Sequence, residues 1–256
     1  MTFSRTMLSS LLAVVAFATP VVTVDAGEKA DGTVYQLRTY TTAEERLPDL
    51  HKRFADHTID LFAKHGMENL IYFTPTDKPN TLVYLLKHKS RAAADKSWDA
   101  FRNDPVWKKA FAASRKDGAI VTKVVGQYLK MNDYSPKNIP ATKKPLTYEL
   151  RTYTTNEGKL PNLNARFRDH TMRIFAKHGM KNIAYFTPTD EKLQKNTLVY
   201  FIAHASPEAA GKSWKAFGRD PEWGKVARES QVDGPILIKG GVKRLYLAPT
   251  DYSPKK

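Results

Sequence analysis

The 256-residue chain contains no cysteine. That absence excludes disulfides, a CxxC redox or zinc site, and a lipid anchor attached through a thiol, so packing alone must hold the fold. The spacings HExxH, GxSxG, GxxxxGK[ST] and GxGxxG are missing too. Zinc-hydrolase, serine-hydrolase, P-loop and dinucleotide chemistries therefore lack their usual signatures, and no metal ligand set is assigned. Basic residues never run longer than two, although the formal net charge is +15. The charges are scattered as solvated faces rather than gathered along a groove with interleaved aromatics, which argues against a nucleic-acid partner. The charge alone favours acidic polymers or anionic envelope surfaces.

One long apolar run exists, Met7 to Ala18, preceded by Arg5 and followed by the small-residue spacing Val24-Asp25-Ala26. It is short for a bilayer span, and the pattern predicts a secretory signal peptide over residues 1–26, with an uncleaved N-terminal anchor as the alternative. The mature chain is then expected in the periplasm or outside the cell, with no membrane span after cleavage.

What is present is a duplication. YQLRTY at Tyr35–Tyr40 returns as YELRTY at Tyr148–Tyr153, and HTIDLFAKHGMENLIYFTPTD from His57 returns as HTMRIFAKHGMKNIAYFTPTD from His170. An offset of about 113 residues is too long for a solenoid repeat and marks whole domains. The expected organisation is a first domain with its linker over 27–140 and a second over 141–256. Six of the seven histidines recur as His57/His170, His65/His178 and His88/His204; at the position of His51 stands Asn164.

Each copy alternates strand and helix signals. Val34 to Tyr40 reads as a strand with Tyr35 and Leu37 on one face and Gln36, Arg38 and Tyr40 on the other. Leu50, Phe54, His57 and Leu61 form a helical stripe, repeated as Leu163, Phe167, His170 and Ile174, with Gly66 and Gly179 placed to end each helix. Strands are expected over 69–74, 81–88 and 120–131, a helix from Arg91, and a helix restart after Asp104-Pro105. The order βαββαβ predicts an α+β fold: two tandem ferredoxin-like domains, each an antiparallel sheet with helices on one face. The open faces should pack sheet to sheet as an intramolecular dimeric α+β barrel, an internal pseudo-dimer joined by a Pro-rich linker over 136–145.

The opening YELRTYTT with a following KLP, the helix ending in KHG, the aromatic second strand, and the pairs Asp104-Pro105-Val106-Trp107 and Asp220-Pro221-Glu222-Trp223 resemble the NIPSNAP family in two tandem copies. The resemblance implies the dimeric α+β barrel fold that the family shares with antibiotic-synthesis monooxygenases and haem-handling proteins. It implies no agreed catalytic residue set, and links the chain to interaction and vesicle or mitochondrial roles.

Candidate ligand-pocket residues come from the repeated positions. His57 and His170 lie on the helical stripe and are expected to point at the sheet, as core histidines bonded to tyrosine or carbonyl, or as ligands of haem or a metal, or a general base in a pocket between helix and sheet. Arg38, Arg151, Tyr40 and Tyr153 are expected inside the barrel, as an inter-domain hydrogen-bond network or an anion pocket. Trp98 and Trp214 sit at helical spacing that suits packing onto the sheet, or the wall of an oxygenase pocket. His65 and His178 are assigned to helix C-termini, His88 and His204 to strand edges, and Glu149, matched by Gln36, to no carboxylate chemistry. The expected function is an exported module binding a small molecule or a protein, without a cofactor. A cofactor-free or haem-dependent monooxygenase-type enzyme acting on an aromatic substrate is the alternative, and a structural envelope protein a third. An enzyme should show an enclosed apolar cavity with His57 or His170 exposed into it.

Overall fold

The computed structural model describes residues 32–139 and 146–254; the expected leader and linker residues 140–145 lie outside them. The first repeat contains β1 (Val34–Thr42), α1 (Leu47–Arg53), a π-helical turn (Phe54–Thr58), α2 (Ile59–Lys64), β2 (Glu68–Pro75), β3 (Thr81–His88), α3 (Arg91–Asn103), α4 (Pro105–Ala113) and β4 (Val121–Met131). The second contains β5 (Thr147–Thr155), α5 (Leu160–Arg166), a π-helical turn (Phe167–Thr171), α6 (Met172–Lys177), β6 (Lys181–Pro188), β7 (Thr197–His204), α7 (Pro207–Gly218), α8 (Pro221–Glu229) and β8 (Leu237–Pro249).

Local chemistry sets these boundaries. Gly66 and Gly179 both adopt φ +77°, the left-handed turn that ends a helix and that a side chain resists. Asp104 and Asp220 cap α4 and α8, each accepting a backbone N–H at 2.8 Å ahead of a proline at the first helical position. Strand β8 carries a glycine bulge opposite Thr154, where a Cβ on Gly241 would lie 2.5 Å from the Thr154 carbonyl oxygen.

Each repeat forms a four-stranded antiparallel sheet, ordered β4-β1-β3-β2 and β8-β5-β7-β6. Two short seams join them edge to edge: Phe73–Pro75 pairs with Leu247–Pro249, and Leu129–Met131 with Phe186–Pro188. The eight strands thereby close into one barrel, with the faces opposite the helices turned towards one another. Its interior is apolar, with Tyr35 5.0 Å from Phe186 and Phe73 5.0 Å from Tyr148, ring centre to ring centre. Helices cover the outside of each sheet over two further cores. The fold is two ferredoxin-like halves in one dimeric α+β barrel.

The tails cross over. The Ser135 hydroxyl, at the end of the first repeat, accepts the Tyr185 N–H of the second at 3.0 Å, and Ser253 accepts the Tyr72 N–H of the first at 3.0 Å. The Tyr134 hydroxyl donates to Asn164 Oδ1 at 2.8 Å; in the mirror position the Tyr252 hydroxyl lies 2.6 Å from His51 Nδ1. Two reciprocal clasps thus reinforce the two seams.

Candidate functional site

Arg38, Tyr40, Arg151 and Tyr153 do not enter the barrel. The alternation expected for β1 is present, but the face carrying Tyr35 and Leu37 fills the interior, and the more polar face lies under the helices. The physical reason is that each helical layer brings a tryptophan whose N–H needs an acceptor on the sheet. Trp98 Nε1 donates to Gln36 Oε1 at 2.8 Å, and Trp214 Nε1 donates to Glu149 Oε2 at 2.7 Å. Arg38 lies over Trp98 at 4.4 Å and donates to the Tyr40 hydroxyl at 3.2 Å; Arg151 lies over Trp214 at 4.2 Å. The two tryptophans are therefore packed, hydrogen-bonded residues of the layer between sheet and helices.

In this layer the copies differ by one residue of the first strand, Gln36 against Glu149. In the second, Arg151 Nη1 donates to Glu149 Oε1 at 2.6 Å, and His204 Nε2 lies 3.1 Å from Glu149 Oε2. Burial pushes the Glu149 carboxyl up, but His204, the Arg151 charge and the Trp214 N–H outweigh it and hold the group below the usual carboxylate range. In the first copy His88 Nε2 sits 3.3 Å from neutral Gln36, and burial, aided by Arg91 and Arg38, lowers its pKa to about 4. His88 and His204 are thus fully buried network members and not edge residues.

His57 and His170 are exposed, contrary to the expected aim at the sheet. The π-helical turn in each first helix accommodates one extra residue, so the buried stripe runs Leu50, Phe54, Thr58, Phe62 and not through His57. The Thr58 hydroxyl donates to the Arg53 carbonyl at 3.0 Å, and Thr171 repeats this with Arg166 at 3.0 Å. His65 and His178 end their helices as expected, and reach beyond them, lying 2.8 and 2.6 Å from the Oδ2 atoms of Asp104 and Asp220. Lys64 with His65, and Lys177 with His178, hold those aspartates well below the usual carboxylate range. No group of three His, Cys, Asp or Glu able to hold a metal occurs among the described residues.

The π turn faces a cavity of about 280 Å³ in the first repeat, bounded by α3, α4, β1 and β4. Tyr40, Phe54, Phe62, Phe101, Trp107 and Phe111 supply its aromatic wall, with Val121 and Val124 on the β4 side and Arg53 and Arg115 as its charged groups. Of the candidate ligand-pocket residues, only Tyr40 lines it, joined by Phe54 of the helical stripe and Trp107 of the Asp-Pro-Val-Trp motif. Arg53 is buried, with its guanidinium carbon 5.4 Å from the Trp107 ring centre and 5.3 Å from that of Phe111. Sequence reasoning passed over Arg53, although its recurrence as Arg166 at the end of α5, the first helix of the second repeat, was a readable signal.

The sequence profile of the NIPSNAP family matches twice, over residues 35–136 and 148–254. Among solved structures, a protein of Fusobacterium nucleatum subsp. nucleatum ATCC 25586 named a "putative monooxygenase" is similar at 10% identity. It has a TM-score of 0.57, covering 85% of this chain and 92% of its own. A "putative monooxygenase" of Lactobacillus acidophilus NCFM is similar at 12% identity and TM-score 0.52, over 85% of this chain and 94% of that one. A nipsnap family protein of unknown function from Agrobacterium tumefaciens str. C58 matches at 20% identity and TM-score 0.37, over 41% of this chain and 94% of its own. No curated protein matches the chain. At these identities the structural likeness speaks for the fold; the two profile matches, spanning both repeats, show that the chain belongs to the NIPSNAP family and carries two tandem NIPSNAP domains.

Proposed function

We propose that the first repeat is a small-molecule binding module whose ligand lies between the π turn, α4 and the β1–β4 pair. The observation that carries this is the aromatic cavity of about 280 Å³, in a protein whose barrel interior is filled with side chains. Neither His57 nor His170 lines it, which favours binding over histidine-based catalysis. Val124 lines the cavity and is half exposed, so Val124→Trp narrows the cavity without touching the core. A screen of small aromatic fragments by ligand-observed NMR should give hits on the full chain that Val124→Trp removes. If every hit binds the variant equally well, the cavity is not the site.

A monooxygenase-type reaction on an aromatic ligand in the same cavity is the second reading. It is supported by the aromatic wall and by the names of two of the neighbours with TM-scores above 0.5. Oxygen consumption with bound hits, absent without them, is its test. Export through residues 1–26 is proposed from the apolar run Met7 to Ala18 and the Val24-Asp25-Ala26 spacing. The intact mass of the mature chain should correspond to a start near Gly27, and a full-length mass refutes the cleavage.

A further inference from the structure

We infer that the ligand of this cavity is a flat aromatic anion whose negative group meets Arg53, and that only the first repeat accepts it. The inference rests on the binding reading above and adds the chemistry of the ligand.

Arg53 is only 5% exposed. Its Nη1 donates to the Ser114 hydroxyl at 3.1 Å, its Nε donates to nothing among the described residues, and no carboxylate there forms an ion pair with it. The fold's other answer to a buried arginine is visible at Arg151, which has Glu149 at 2.6 Å. Asp49 and Asp56 line a cleft that Arg53 also borders, but Asp49 pairs with Arg46 and Asp56 with Lys52. A second cation, Arg115, lines the same cavity with its guanidinium carbon 4.9 Å from the Phe111 ring centre. The buried Arg53 and the exposed Arg115 both line this partly open space, and no carboxylate lines it with them. Burial, with Arg115 adding to it, disfavours the Arg53 cation. An anion in the cavity would offset both desolvation and repulsion, and a planar carboxylate matches the guanidinium fork.

The rest of the wall fixes the remainder of the ligand. Six aromatic rings and two valines favour a ring system over a sugar or a nucleotide. About 280 Å³ lies just below the roughly 300–1,000 Å³ usual for ligand sites, which suits one or two fused rings. The second repeat keeps the arginine and its tryptophan as Arg166 and Trp223, 5.3 Å apart, but has Ala227 where Phe111 stands and Gln231 where Arg115 stands. Gln231 is tied down, donating to the Ala227 carbonyl at 2.8 Å and accepting from the Ile236 N–H at 3.4 Å. That copy therefore lacks both the second cation and one wall of the ring site.

The test is calorimetric titration of the full chain with 2-naphthoate, its neutral amide and 2-naphthalenemethanol. Naphthoate should bind one per chain and at least about tenfold more tightly than the amide. Arg53→Met should weaken naphthoate roughly 10- to 100-fold and remove the preference for the acid. Arg53→Lys should restore part of that preference. Phe111→Ala with Arg115→Gln copies a set that the second repeat already folds with, so its loss of binding is not a loss of structure. Arg166→Met should leave the affinity unchanged. Equal binding of acid and amide overturns the anion while leaving the cavity reading intact. A stoichiometry of two, or sensitivity to Arg166→Met, overturns the assignment to one repeat. If none of the three probes binds and the fragment screen is also empty, the binding reading itself fails.

Discussion

Glu149→Gln turns the second repeat's buried polar cluster into the first repeat's, which makes its effect calculable from within the molecule. The carboxylate accepts from Arg151 at 2.6 Å and Trp214 at 2.7 Å, and lies 3.1 Å from His204. A glutamine keeps the last two partners, because Gln36 already accepts from Trp98 at 2.8 Å and lies 3.3 Å from His88. What disappears is the charge-assisted bond to Arg151, worth roughly 1.5–3 kcal/mol, and Arg38 demonstrates that stacking on tryptophan with a tyrosine hydroxyl nearby can hold the arginine without it. The expected loss at pH 7 is therefore about 1.5 to 3 kcal/mol, smaller than the roughly 3 to 5 kcal/mol for stranding a buried ion altogether. Urea unfolding followed by far-UV circular dichroism measures it. Because the folded-state pKa of Glu149 lies below its unfolded value, the carboxylate's contribution is present above that unfolded value, about 4.3, and is lost as pH falls through the folded one. The gap between parent and variant should accordingly narrow below about pH 4. A gap under about 0.5 kcal/mol at pH 7, or one that stays constant to pH 2.5, refutes the argument.

Three further outcomes are expected. His57→Leu and His170→Leu should each change stability by under about 0.5 kcal/mol, since both side chains are exposed; a loss above 2 kcal/mol in a urea titration contradicts the π-turn register. Burial lowers the pKa of His51 at the clasp, so the parent loses stability as pH falls below the unfolded histidine value of about 6.5. His51→Asn, which copies Asn164, should reduce the slope of the stability profile between pH 7 and 5 and leave the part due to buried His88, whose pKa is lowered to about 4; an unchanged slope counts against the clasp as a source. Residues 32–136 expressed alone should dimerise in light scattering, because the apolar barrel interior and two strand edges are otherwise exposed; a stable monomer shows that the halves do not need each other.

Most of the architecture was legible because it rests on signals that local chemistry enforces. Alternation in Val34–Thr42, the Gly66 stop and the Asp104-Pro105 cap each have one structural answer, and duplication doubles the evidence. Two features were not. The π turn adds one residue to the spacing between Phe54 and the next buried position, and a period of 3.6 chooses His57 where the protein chooses Thr58. The direction of the first strand's polar face was the other. Polarity suggested that Arg38 and Arg151 belonged between the domains, whereas a closed barrel of this size fills with rings and expels charge to the layer that has tryptophan N–H groups to satisfy. Both errors concern which side a residue faces, and that is decided by partners far away in sequence.

Duplication within one chain changes what each copy must do. A homodimer of single domains would carry two identical sites; here the barrel is closed by both halves, so either half can diverge while the other preserves the shape. Two polar groups are answered internally in the second repeat: Glu149 pairs with Arg151, and Gln231 is bound to its own backbone. The first has Gln36 in place of a carboxylate and Arg115 in place of a tethered glutamine, while Arg53 and its counterpart Arg166 both lack an ion pair among the described residues. Unpaired buried charge is a destabilising feature that packing elsewhere must compensate. The tail clasps and seams couple the halves, so stability gained in the second repeat supports the fold of the first, and its cavity can retain a charge pattern suited to a ligand.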